Sequence, residues 1–320
     1  MLGRLVDERV IQNRSVRPEA LWGDVLPLML TADCRLINLE CVISDRGEEW
    51  HPRTKEFHFR ASPRAVEFLR VAKIDGLTLA NNHVLDYGPD ALLDCLSLLD
   101  RAGIKRTGAG ATLEQALIPA LLGLPNGRVA VVALTDNEPE WEATNTKPGV
   151  NYVGYGERGL REPYRSRATR MLATARRQAE LVIVSAHVGP NWGMPSGAVQ
   201  ALAHDLIDMG ADLYWGHSNH TPQGIELYKG KAILYSTGDF VDDYWVDQDE
   251  RNDLSFLFML EVEHGRIARI RLHSVRIKDL AVRLAEEGER QFLIRAMQVK
   301  CKAFGTTMAV EGGIGAINIA

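Results

Sequence analysis

Leu77-Thr78-Leu79-Ala80-Asn81-Asn82-His83-Val84-Leu85-Asp86-Tyr87-Gly88 is an apolar run that stops abruptly in two amides, a histidine and a nearby carboxylate. A strand buried in an α/β sheet delivers polar side chains in this way, at its C-terminal edge, where such folds bind ligands. Two further apolar runs end alike, in Asn38-Leu39-Glu40 and in Ala186-His187. Gly216-His217-Ser218-Asn219-His220 is a fourth polar cluster after a short apolar run. The rest of the chain reads as the scaffold that brings these four edges together.

Around that stretch the pattern alternates between strand and helix. Residues 21–31 read as a short helix or apolar turn, Cys34 to Leu39 as a strand, and 44–58 as a polar loop with Asp45, Gly47 and Pro52. Phe57-His58-Phe59 reads as a short alternating strand. Ser62-Pro63 predicts a helix start, a capping hydroxyl followed by proline at the first helical position, with Val66, Leu69 and Val71 on the buried side. Pro89 to Ala102 predicts a helix, with Leu92, Leu93, Leu96 and Leu99 at helical spacing and Gly103 as its stop. Ile104 to Thr107 is a short strand, and Thr112 caps the next helix. Arg128 to Leu134 and Leu181 to Ala186 are unbroken apolar strands, as a sheet covered on both faces requires.

The long polar segment 135–162 between them reads as functional rather than idle. Residues 163–179 form a basic helix, with Arg158 to Arg177 as a solvated face. Ser196 to Met209 is a helix, and Asp212 to Trp215 a short strand. Two hairpins follow, 225–236 and 256–277, then a helix over 284–303 and a glycine-rich, frayed tail. Strand–helix units followed by antiparallel hairpins predict an α/β (α+β layered) fold, a mixed sheet flanked by helices. Residues 1–283 form the main domain, and 284–320 a C-terminal helix and tail.

The bulk properties exclude several classes. A chain of 320 residues, 46% hydrophobic and 25% charged, can bury a large core. A net charge of −5 gives no basic surface for nucleic acid or an anionic membrane. Cys34, Cys41, Cys95 and Cys301 show no close pairing and read as buried free thiols, which suits a reducing compartment. Met1 to Arg17 lacks an apolar signal core, and Trp22 to Leu30 is too short and interrupted to cross a bilayer. The expected location is cytoplasmic, on condition that Met1 is the true start.

Taken singly, the polar residues are unremarkable in their ordinary readings. Glu40 reads as a surface glutamate, Asn82 as a turn former, and His187 as a core histidine. His217 and His220 differ, because two histidines on one loop after a strand can converge on one site. Imidazole suits zinc, iron and manganese, and carboxylate suits harder ions. A mixed set of Glu, Asn and His therefore fits two divalent metals clamping a phosphoryl group.

The motifs together resemble the calcineurin-like metallophosphoesterase fold. More closely, they are similar to the bacterial capsule-synthesis (CapA-type) proteins associated with poly-γ-glutamate. The matching pieces are Met1-Leu2-Gly3-Arg4, Asn38-Leu39-Glu40, Phe57-His58-Phe59-Arg60-Ala61, Ala80-Asn81-Asn82-His83, Asp86-Tyr87-Gly88 and Gly108-Ala109-Gly110. They continue with Ser185-Ala186-His187-Val188-Gly189, Gly216-His217-Ser218-Asn219-His220, Gln223-Gly224-Ile225-Glu226 and Thr237-Gly238-Asp239-Phe240, in family order over residues 1–277.

The resemblance implies two divalent metal ions (Mn, Fe or Zn) bridged by Glu40. Asn82, His187 and His217 would complete one shell, and His220 would serve the other. His83 would be the general acid at the leaving oxygen, oriented by Asp86, and Arg60 a contact for an anionic substrate. His51, His58, His204, His264 and His273 are left as structural or exposed. The implied ligands are an anionic small molecule or polymer, and the implied partner a polymer synthesis or export complex.

Two departures from the family pattern matter. Family members begin with a strand leading into Gly-Asp, whose aspartate is a metal ligand; here the chain starts at the following Met-Leu-Gly-Arg. The expectation is a longer natural chain, with Met1 internal, and one metal position short of a ligand. Ser218 and Asn219 stand where many members carry histidine and proline. The functional expectation is a metal-dependent hydrolase of phosphate esters or a related bond. The alternative is a non-catalytic metal- or polymer-binding accessory subunit.

Overall fold

The computed structural model describes residues 1–50 and 55–319. The sequence-stretch residues His51 and Pro52 lie outside the described residues. Three parallel strands open the fold: β1 (Leu36–Asn38), then β4 (Gly76–Thr78) and β5 (Lys105–Thr107), in the order β1-β4-β5. A two-stranded parallel pair, β2 (Val42–Ile43) and β3 (Arg60–Ala61), lies between them in sequence. Phe57-His58-Phe59 is therefore not a strand; pairing begins only at Arg60.

The helix after β3 is α1 (Ala65–Val71), which buries Ala65, Phe68 and Leu69, while Val66 and Val71 stay half-buried. The Ser62 hydroxyl does not cap it. That hydroxyl donates instead to the buried Asp7 carboxylate at 2.9 Å, a charged tertiary acceptor. α2 (Gly88–Ala102) buries Leu92, Leu96 and Leu99 as the spacing requires, but leaves Leu93 exposed. Gly103 ends it in the left-handed region at φ 74°, open to a residue without Cβ.

The second sheet has six strands. β6 (Ala120–Leu124) forms a hairpin with β7 (Gly127–Thr135), followed by β8 (Leu181–His187), β9 (Leu213–His217), β10 (Ile225–Tyr228) and β11 (Lys231–Leu234). Their order is β10-β11-β9-β8-β7-β6, with β7, β8, β9 and β11 parallel. α3 (Tyr164–Arg176) and α4 (Gly197–Asp208) cover one face, and α4 is capped locally, the Ser196 side chain accepting from Val199 N–H. The basic face of α3 is solvated except at Arg167, which is buried and donates to Glu142 at 2.8 Å and to the Tyr152 carbonyl. That guanidinium ties the long 135–162 segment to the helix.

The third sheet is antiparallel: β12 (Leu254–Glu263), β13 (Arg266–Lys278), β14 (Ala281–Leu284), β15 (Ala309–Glu311) and β16 (Ile314–Asn318), ordered β12-β13-β16-β15 with β14 on β13. The tail is thus not frayed. β16 pairs with β13 from Arg269↔Asn318 to Leu272↔Gly315, and Ile317 is fully buried. Glycines that read as disorder instead form the β15–β16 turn, with Gly312 and Gly313 at positive φ. α5 (Glu287–Lys302) buries Leu293, Ile294, Met297 and Cys301 against the core shared by the second and third sheets. A separate core, built from β4, α1 and α2, lies on the other side of the first sheet.

Because β16 is an inner strand of the third sheet and Ile317 is fully buried, Ile317→Ala should cost about 2–5 kcal/mol of stability, the range for a buried aliphatic truncation. Urea unfolding measures it; a loss under about 0.5 kcal/mol, typical of surface positions, would mean a tail detached from the fold.

Candidate functional site

The polar ends of β1, β4, β8 and β9 gather at one end of the molecule. Asn81 is the tie between the first two. Its amide donates to Asn38 Oδ1 (3.1 Å) and to the Leu39 carbonyl (2.8 Å), and its Oδ1 accepts from His83 N–H (3.0 Å). One buried side chain therefore sets the positions of Glu40 and His83 together. Sequence reading left Asn81 without a role, since its value lies in partners about forty residues away.

Asn82 Oδ1 is buried and has no hydrogen-bond partner, while its backbone carbonyl accepts from Lys55 Nζ at 2.6 Å. An orphaned buried carbonyl oxygen is costly, and a cation would relieve that cost. Lys55 also lies 3.3 Å from Asp86 and 3.3 Å from Glu138, and is nearly buried. Nothing in the polar loop around it marked Lys55 in advance.

His83 Nδ1 lies 2.6 Å from Asp86 Oδ2, which also accepts from Phe59 N–H at 2.6 Å. The Phe59 ring sits 3.9 Å from the imidazole. Burial, then the facing Lys55 ammonium, holds the His83 imidazole well below its ordinary value. Burial pushes the Asp86 carboxyl up to about 7, against the pull of Lys55.

β8 and β9 pair in parallel register with His187 opposite His217. Their Nδ1 atoms lie 2.8 Å apart, and His217 Nε2 lies 2.6 Å from Ser185 Oγ. Gly216 precedes His217 because a Cβ there would meet the Tyr235 carbonyl at 2.1 Å. Ser218, next along, is held at φ 99°, a strained position for a residue with a side chain. Burial lowers both imidazoles below the ordinary histidine value. His187 Nε2 faces Glu40 Oε1 at 3.9 Å. Burial alone would raise the Glu40 carboxyl; the fields of His187, His83 and His220 outweigh it and lower it.

His220 sits apart from the His187–His217 pair. Its Nδ1 lies 3.0 and 3.1 Å from the two Asp239 oxygens, and Trp192 and Tyr244 flank its ring. Against its burial, Asp239 raises His220 to about 9. Asp239 lies in the Thr-Gly-Asp-Phe run but received no role from sequence. Its signal was a carboxylate after a glycine at a strand end. Arg60 does not reach into the site by any observed contact; its guanidinium stacks over the Tyr87 ring at 4.0 Å.

Among the described residues, no three His, Cys, Asp or Glu side chains stand ready-made at metal-holding distances. The donor chemistry nonetheless fits a divalent cation. It offers two paired imidazoles, a lowered carboxylate facing one of them, and an unpartnered amide oxygen, all at strand ends.

An α/β sandwich carrying histidines and carboxylates on converging strand ends defines the class. The chain belongs to the family of the bacterial capsule synthesis protein PGA_cap, whose family model matches residues 1–244. It is 33% identical over 297 residues to a "probable polyglutamine synthesis accessory protein" of Mycobacterium tuberculosis, covering 89% of this chain and 77% of that protein. It is 28% identical to the PGA biosynthesis protein CapA of Bacillus subtilis, over 76% of this chain and 61% of that one. The capsule biosynthesis protein CapA of Bacillus anthracis is 28% identical, over 76% of this chain and 58% of its own length. No helix among the described residues is long and apolar enough to cross a membrane.

The two adjacent asparagines should separate cleanly in the absence of metal. Asn81→Ala breaks three side-chain hydrogen bonds, two of them buried, and should cost about 1–3 kcal/mol. Asn82→Ala removes no side-chain bond through Oδ1 and should cost less. Chemical denaturation of both variants in chelator reads the difference; equal losses would refute the tie assigned to Asn81.

Proposed function

We propose that this family member is a divalent-metal-dependent hydrolase of phosphate esters or a related bond, working in capsule or poly-γ-glutamate synthesis. The observation that carries the reading is the His187–His217 pair facing Glu40, together with an orphaned Asn82 oxygen next in sequence to the His83–Asp86 pair.

Asn82 Oδ1, His187, His217 and Glu40 would hold one ion, and Glu40 with His220 a second. When bound, such ions supply a nucleophilic water at neutral pH and neutralise phosphoryl charge. The chain's own residues do the rest. Asp86 grips His83 Nδ1, which fixes the ring and leaves Nε2 as the atom that exchanges a proton with a leaving oxygen. Phe59 stacks on that ring and restricts its rotation. Asp239 orients His220 through Nδ1. Lys55 holds the Asn82 backbone and offsets the Asp86 charge. An anionic small molecule or polymer is the substrate class that this mixture of cation and imidazole suits.

A second reading is a binding subunit of a polymer synthesis complex with no turnover. The mycobacterial relative's description as an accessory protein supports it.

One set of measurements tests both. Purified protein loaded with manganese, iron or zinc should retain metal by elemental analysis. Asn82→Ala or His217→Ala should lower retention at least about tenfold. His83→Ala should keep the metal but slow phosphomonoester or phosphodiester hydrolysis by about 10²–10⁴. Retained metal without turnover of any ester would favour the binding subunit. No metal under any loading would refute both.

A further inference from the structure

A serine interrupts the aliphatic run of β8. Ser185 is fully buried and lies two residues before His187, so both side chains project from the same face of the strand. His217 stands on β9 directly opposite His187. Its imidazole spans the two residues of β8. Nε2 lies 2.6 Å from Ser185 Oγ, and Nδ1 lies 2.8 Å from His187 Nδ1. Both ring nitrogens of His217 are therefore engaged, one by a hydroxyl and one by another imidazole. Among the described residues, Ser185 Oγ is the one hydrogen-bond partner of Nε2.

The two contacts differ in what they allow. Two nitrogens facing at 2.8 Å hold one proton between them. Two N–H groups would clash there, and two bare nitrogens would repel. A hydroxyl, by contrast, donates or accepts as its neighbour requires. His187 Nε2 faces the Glu40 carboxylate at 3.9 Å, which favours an N–H on that nitrogen and a bare Nδ1. The proton between the rings then belongs to His217 Nδ1, and Ser185 donates to His217 Nε2.

We propose, resting on the reading of His187 and His217 as cation ligands, that Ser185 is the positioning residue for His217. Its oxygen accepts from Nε2–H when Nδ1 meets a cation, and its hydroxyl donates to Nε2 when none is bound. A cation reaching the pair takes the place of the shared proton. That proton leaves Nδ1, one is taken up at Nε2, and the number of protons on the ring is unchanged. The hydroxyl turns from donor to acceptor, so Nε2 is partnered in both states. An alanine at 185 would leave a buried N–H without an acceptor in the cation-bound state, and only a bare nitrogen in the empty one. A buried unpaired N–H is the costlier of the two. The hydroxyl therefore acts on cation binding more than on folding.

The test uses the full chain with zinc as a diamagnetic probe. Side-chain nitrogen NMR of histidine locates the proton, with the His217 signals assigned by their loss in His217→Gln. In zinc-loaded protein the His217 proton should lie on Nε2, and in chelator on Nδ1. Competition with a chelator gives zinc affinity, which Ser185→Ala should lower about 10–100-fold. Its unfolding midpoint in chelator should move little, and Ser185→Thr, which keeps the hydroxyl, should restore the affinity. If the threonine variant does not fold, the wild-type spectra decide alone. Zinc held at His217 Nε2, a proton that stays on one nitrogen in both states, or unchanged affinity in Ser185→Ala would overturn the proposal. Wild-type protein that takes up no zinc or other divalent metal would sink the metal reading and this inference with it, whereas zinc at Nε2 sinks the inference alone.

Discussion

The pairing register of β8 on β9 is the constraint on which the site depends. Side chains alternate faces along a strand, so a slip of one residue would send His187 to one face and His217 to the other. The register holds because both strands are largely buried, pair residue for residue from Ile183↔Leu213 to His187↔His217, and are pinned at each end. Gly216 lets Tyr235 approach at one end, and Asp212 accepts from Val182 N–H at the other. With that register set, two imidazoles meet at 2.8 Å, close to Glu40.

The other half of the site is positioned by a different device. β4 is short, and its polar continuation is held by side-chain bonds rather than by ladder hydrogen bonds. Asn81 spans to Asn38 and Leu39, and Asp86 spans to Phe59. Such a network is stable only while each member keeps its partner. Asn82 Oδ1 and Asp86 Oδ1 both lack a hydrogen bond, but Asp86 Oδ1 faces the Lys55 ammonium at 3.3 Å. A stored desolvation cost at Asn82 is a common mark of a ligand site, where the partner arrives from outside.

Much of this was legible from local chemistry. Thr112 and Ser196 cap helices, Gly103 ends one, and the apolar runs of β7 and β8 are strands, because each depends on residues within a few positions. The strand-end placement of Glu40, Asn82, His187 and His217 was legible for the same reason. The roles of Asn81, Lys55 and Asp239 were not, because their partners lie about 20 to 40 residues away in sequence. Ser62 shows the limit from the other side: its capping signal was sound, yet Asp7 takes the hydroxyl.

The sequence by itself determined the layered α/β class, the family and the strand ends at which chemistry-bearing residues would stand. Periodicity, caps and motif order are properties of short segments, and they survive without knowledge of the whole. Only the tertiary structure decided which strand ends share an edge and that the glycine-rich tail holds a largely buried strand. Those outcomes come from long-range backbone pairing and from burial shared between distant segments, which no local pattern encodes.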